Sequence, residues 1–100
     1  MIEYSLASDP RADLDSEATF NWYERAQSGL GVDFLDELRT TYDRIAKGPL
    51  KHQEFRSGIR RALFRRFSYA VYFAVEGHSI IVLAVLHASR NPAEWQRRSS

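Results

Sequence analysis

Seven consecutive apolar residues, Ile80 to Leu86, constrain this chain more than any other stretch. A run this short, rich in Ile and Val, reads as a strand rather than a helix. It shows no alternation, so both of its faces must be covered, which predicts a central strand. His87 ends the run, Arg90 follows, and Asn91-Pro92 stops the strand. The strand therefore carries His87, Arg90 and Trp95 together to one end of a sheet.

The rest of the chain must supply that cover from few residues. One hundred residues, 44% of them hydrophobic and 13% aromatic, make a single domain spanning 1–100 with a modest core. No apolar run approaches the roughly 20 residues of a membrane span. Met1-Ile2-Glu3-Tyr4-Ser5 has neither the basic nor the apolar region of a signal peptide. With no cysteine, disulfides and thiolate metal sites are excluded. A cytoplasmic protein is expected.

Charge is divided unevenly. Residues 1–50 carry five Lys/Arg and ten Asp/Glu, whereas residues 51–100 carry nine Lys/Arg and three Asp/Glu. Five arginines, Arg56, Arg60, Arg61, Arg65 and Arg66, crowd one short segment. A basic half of this kind points to an anionic partner.

Ile2 to Leu6 alternates weakly and reads as an edge strand. Asp9-Pro10 starts a helix, the aspartate as cap and the proline in the first turn. Leu14, Ala18, Trp22 and Ala26 recur every four residues to about Ser28, with Tyr23 widening the stripe, and predict an amphipathic helix with that face on a core. Gly29-Leu30-Gly31 ends it with a glycine cap. A second helix is predicted over 32–47 from Leu35, Leu38, Tyr42 and Ile45, and Gly48-Pro49 stops it. The short link makes the two helices an antiparallel hairpin.

The remainder reads as β. Around residues 53–64 the chain becomes strand-like and very basic, and with the arginines on strands Arg61 and Arg65 face one way and Arg60 and Arg66 the other. Tyr69, Val71, Phe73 and Val75 alternate with Ala70, Tyr72, Ala74 and Glu76 in the next strand. Gly77-His78 turns into the Ile80–Leu86 strand, and residues 92–98 can add a terminal helix. The fold class is α+β, in the order β-α-α-β-β-β. A helical hairpin covers only one face of such a sheet, so the second face calls for a partner chain or a dimer.

The chemistry is sparse. His52, His78 and His87 have no metal-ligand spacing, and no phosphate-binding loop or nucleophile elbow is present. His78 falls in a turn. His87 is either a strut that bonds backbone or a proton-transfer or contact group. Trp95 is either an anchor for the C-terminal segment or a binding hot spot. No cofactor and no metal are expected.

Taken together, these pieces resemble the ParE/RelE toxin superfamily of bacterial toxin–antitoxin systems, on its ParE (plasmid-stabilisation) side. The resemblance rests on Asp13-Leu14, Trp22-Tyr23-Glu24 and Gly29-Leu30-Gly31-Val32-Asp33-Phe34-Leu35. It continues through Gly48-Pro49, Arg60-Arg61 and Phe67-Ser68-Tyr69-Ala70-Val71-Tyr72-Phe73, where the family often has Phe-Pro-Tyr. Val82-Leu83-Ala84-Val85-Leu86-His87 with Arg90-Asn91-Pro92 and Trp95 is its most specific part.

The resemblance implies a toxin held silent by a cognate ParD-like antitoxin in a hetero-oligomer, the antitoxin lying along the helical hairpin and the sheet. Trp22, Leu35, Tyr42, Tyr72 and Phe73 are then the antitoxin-binding candidates. ParE-type members poison DNA gyrase by binding it, with His87, Arg90, Trp95, Arg60 and Arg66 the target contacts here. RelE-type members instead cleave mRNA on the ribosome, for which the set would be His87, Arg61, Arg65 and Arg90. Those nucleases use a C-terminal tyrosine or histidine. Trp95 stands in that region, and an indole N–H cannot act as acid or base. The resemblance therefore implies a gyrase inhibitor rather than an enzyme, with an mRNA endonuclease as the alternative.

Overall fold

The structure, a computed structural model, describes residues 3–89. Its elements are β1 (Ser5–Ser8), α1 (Pro10–Ala26), α2 (Leu30–Lys47), a short 3-10 turn (Pro49–Lys51), β2 (Glu54–Arg56), β3 (Ile59–Leu63), β4 (Tyr69–Glu76) and β5 (Ser79–His87). The five strands form one sheet in the order β1-β5-β4-β3-β2, antiparallel except where β1 runs parallel to β5. Both helices pack on one face. This is the α+β hairpin-on-sheet architecture predicted from the sequence. The proposed terminal helix, Arg90 and Trp95 lie outside the described residues.

Local chemistry sets the element ends. Asp9 caps α1, its Oδ1 accepting from the Arg11 backbone N–H at 2.8 Å, with Pro10 in the first turn. Gly29 does not cap α1, which closes at Gln27; its φ of 89° places it before α2 instead. Gly31 sits where α2 crosses α1: a Cβ there would lie 2.6 Å from the Phe20 carbonyl oxygen. The basic segment holds two strands, not one. Ser57 and Gly58, with φ of 45° and 83°, fold it into the β2–β3 hairpin. Arg65 and Arg66 consequently leave the sheet for the β3–β4 loop.

The helix-side core gathers Phe34, Leu38, Ile45, Val71, Phe73 and Val82. The opposite face holds Ile59, Ala70, Tyr72, Leu83, Ala84 and Leu86. These side chains are themselves buried, Tyr72 at 1% and Leu83 at 5% exposure, so the expectation that this face waits bare for a partner chain is corrected. The middle of the sheet is β4 rather than β5, because the basic segment supplies two strands on its far side.

The stripe predicted to bury α1 faces solvent. Leu14 and Trp22 are 64% and 59% exposed, and Ala18 and Ala26 lie beside them on the surface. The helix buries Ala12, Ser16 and Thr19 instead. Small residues let it approach the sheet closely. The two hydroxyls bond back to the carbonyls of Ala12 and Asp15, at 3.1 and 2.9 Å, so burying them leaves no polar group unmade.

Candidate functional site

The end of β5 meets α1 in a groove of about 450 Å3 lined by Ala18, Thr19, Trp22, Tyr23, Tyr69 and His87. A smaller cleft beneath it adds Asp15, Val85 and Leu86. β1 pairs with β5 only as far as Val82. Past that point α1 takes the place of the missing strand, and Asp15 Oδ2 accepts the Val85 backbone N–H at 3.1 Å. Tyr69 lies across from His87 in the β4–β5 register, and their rings meet edge-on at 5.4 Å. Behind them Tyr23 contacts Phe34, Phe67 and Tyr69, at centroid distances of 5.8, 5.0 and 6.1 Å. Burial, then the neighbouring Tyr69, raises the Tyr23 phenol above its ordinary pKa.

His87 is exposed, yet one side of its ring is fixed. The Ser89 backbone N–H donates to Nδ1 at 3.2 Å, and the Ser89 hydroxyl lies 2.7 Å from the same atom. Trp22 forms the outer wall, edge-on to Tyr23 at 5.1 Å. The sequence motif Trp22-Tyr23-Glu24 thus divides its labour. Trp22 lines the groove, and Tyr23 anchors it to the core. Glu24 accepts the Gly31 N–H at 2.8 Å at the start of α2.

The arginines are placed elsewhere. Arg60 donates to the carbonyls of His52 and Leu50, at 2.7 and 3.4 Å, and clamps β3 to the 3-10 turn. Arg61 projects to the opposite face and lies 5.0 Å above the Phe55 ring. Arg65 and Arg66 line a cavity of about 260 Å3 with Asp36, Glu37, Thr40 and Arg44. Arg66 also pairs with Asp33 at 3.6 Å and covers the Phe67 ring at 5.8 Å. Of the nuclease set His87, Arg61, Arg65 and Arg90, the first three occupy three different places, and Arg90 lies outside the described residues. No group of three or more metal-donor side chains occurs among the described residues. No helix there is long and apolar enough to cross a membrane.

The antitoxin-binding candidates divide in the same way. Trp22 is exposed, and Leu35 and Tyr42, both half-buried, line a shallow groove on α2 with Leu38 and Arg39. Tyr72 and Phe73 are core side chains, 1% and 0% exposed, with no surface to offer a partner. The Tyr42 phenol is pushed up to about 12, first by burial and then by the nearby Asp13 carboxylate.

Sequence reasoning missed Asp15, Thr19, Glu37 and Arg44. Asp15 and Thr19 were obscured by the louder apolar stripe. Glu37 accepts the backbone N–H groups of Arg65 and Arg66, nearly thirty positions along the chain, for which no local pattern exists.

Comparison with known proteins agrees with this fold. A family profile described as "ParE toxin of type II toxin-antitoxin system, parDE" matches residues 7–92. No curated protein matches the chain in sequence. Among solved structures, the chain is similar to one titled as the chromosomal ParDE toxin–antitoxin system from P. aeruginosa. That match has a TM-score of 0.75 and 17% identity, covering 85% of this chain and 96% of the other. It is also similar to one titled as the RelBE2 toxin–antitoxin complex from Mycobacterium tuberculosis, with a TM-score of 0.61 and 14% identity over 86% and 99% of the two chains. At these identities the structures attest the fold alone, while the profile spans most of the chain. The chain therefore belongs to the ParE toxin family of type II toxin–antitoxin systems.

Proposed function

We propose that this toxin acts in the cytoplasm by gripping DNA gyrase rather than by cutting RNA, and that a cognate ParD-like antitoxin silences it by direct binding. One observation carries the choice. His87 shares its groove with aromatic and small residues, and no arginine lines that groove among the described residues. Cleaving a phosphodiester needs cations aimed at the phosphorane beside the acid and base. Here the arginines clamp a turn, cover a phenylalanine or sit against α2. An exposed tryptophan beside a groove is instead the usual form of a protein-binding hot spot.

The test is to induce the chain alone in a bacterium and to assay purified gyrase for accumulated cleaved DNA. Growth arrest with trapped cleavage complexes supports the reading. Arrest with new 5′ ends inside coding mRNA and no gyrase effect replaces it with a ribosome-dependent nuclease, in which His87→Ala abolishes cleavage without unfolding the chain. The antitoxin arm is checked with the small protein encoded next to this one. Co-expression should restore growth, and the antitoxin should raise the toxin's melting temperature by mass action.

A further inference from the structure

The cavity between α2 and the β3–β4 loop lies apart from the His87 groove. Arg44, Arg65 and Arg66 line it with Asp36, Glu37 and Thr40. Three observations fix its chemistry. First, the loop is held in place: Glu37, only 8% exposed, accepts the backbone N–H groups of both Arg65 and Arg66. That carboxylate is spent on the backbone and leaves the guanidiniums to others. Second, Arg44 is half-engaged. Its Nη2 donates to the Leu63 carbonyl at 3.1 Å and to the Thr41 hydroxyl at 3.3 Å. Its Nε is buried with no acceptor, and a buried donor left unmade is unfavourable. Third, the Arg65 guanidinium makes no ion pair among the described residues, whereas Asp36 pairs with Arg39 at 3.7 Å and Asp33 with Arg66 at 3.6 Å.

We propose that this pocket seats a single carboxylate side chain of a partner protein. Planar guanidiniums match a carboxylate bidentately, and Arg65 is the exposed guanidinium of the pocket that makes no ion pair among the described residues. A nucleic-acid strand fits less well. Its phosphates repeat along the chain, and Asp33, Asp36 and Glu37 around the pocket would repel them. A lone Glu or Asp on a protein segment meets the arginines without bringing further charge against those acids. Identifying that protein as the antitoxin rests on the toxin reading above; the preference for a carboxylate does not.

The probe is N-acetyl-glutamate amide, titrated into the whole chain and followed by NMR at the arginine Nε–H signals and the Arg65 and Arg66 amides. N-acetyl-glutamine amide, inorganic phosphate and a short DNA duplex serve as comparisons. Saturable shifts at Arg65 with the glutamate probe, absent with the glutamine one, support the proposal. Arg65→Ala, at an exposed side chain, should weaken the glutamate probe roughly tenfold, in line with loss of one charge-assisted hydrogen bond. No shift with any probe, or tighter binding of phosphate or DNA than of glutamate, overturns it. A second arm separates this result from the toxin reading. If the chain arrests growth, Arg65→Ala should stay toxic while rescue by the neighbouring small protein weakens by a similar factor. Undiminished rescue would remove the antitoxin as occupant. Absence of toxicity in the unmodified chain would bear on the toxin reading alone and leave the NMR result standing.

Discussion

The His87 imidazole stands edge-on to the Tyr69 ring, centroids 5.4 Å apart and planes at 72°. Strict alternation would forbid this. Ile80 and Val82 face the helices, so an unbroken strand would turn His87 to the other side of the sheet. The register shifts once: Tyr72 pairs with Ala84 but Phe73 with Val82, and Leu83 is the extra residue. From that bulge onward Val85 faces the helices, and so does His87. One additional residue in β5 is thus what places His87 in the groove with Trp22 and Tyr69.

If Trp22 is a wall of that groove and not part of the core, Trp22→Ala should change stability by less than about 1 kcal/mol, as surface substitutions do. Growth arrest by the chain should nonetheless be lost. Urea midpoints and a growth assay on the same variant decide this. A large stability loss would return Trp22 to a structural role.

Leu38 and Val82 are helix-side core residues, 8% and 0% exposed. Leu38→Ala or Val82→Ala should lower the unfolding free energy by roughly 2–4 kcal/mol through lost burial and the cavity left behind. Unchanged denaturant midpoints would contradict the assignment.

Gly31 tests the helix crossing. An added Cβ would lie 2.6 Å from both the Glu24 Cγ and the Phe20 carbonyl oxygen, and the latter is backbone that cannot swing away. Alanine gains about 1 kcal/mol of helix propensity over glycine, but overpacking costs typically 1–3 kcal/mol. Gly31→Ala is therefore expected to be net destabilising in equilibrium unfolding. A more stable variant would mean that the helices separate easily.

His52 supplies a pH test. Burial lowers its pKa below the ordinary 6.5; a hydrogen bond to the Arg44 backbone opposes this, and the nearby charges of Arg44 and Arg60 add to it. The folded chain therefore prefers the neutral ring. As pH falls through about 6.5 the unfolded chain takes up the proton first, so stability is lost on the acid side and is fully present above it. His52→Gln should flatten that acid-side loss relative to the unmodified chain. Parallel stability–pH curves for the two proteins would rule this coupling out.

Much of the architecture was legible without coordinates because local rules act locally. Asp9-Pro10 starts a helix wherever it stands, Gly-Pro stops one, and the alternation of Tyr69–Glu76 assigns its own two faces. The apolar run had to be an interior strand with both faces buried, and the β-α-α-β-β-β order of elements pointed to the hairpin-on-sheet class. The readings that failed depended on approach distance and register. Periodicity finds the apolar side of α1, but close packing favoured Ala12, Ser16 and Thr19 and turned Leu14 and Trp22 outward. A count of basic residues gives no sign that Ser57-Gly58 folds them into a hairpin, or that Arg60 spends its charge on two carbonyls. The sequence alone determined the two helices, the two long strands and which residues carry charge. Tertiary structure alone decided the bulge that turns His87, the outward face of α1 and the Glu37 latch, because each depends on contacts between segments far apart in the chain.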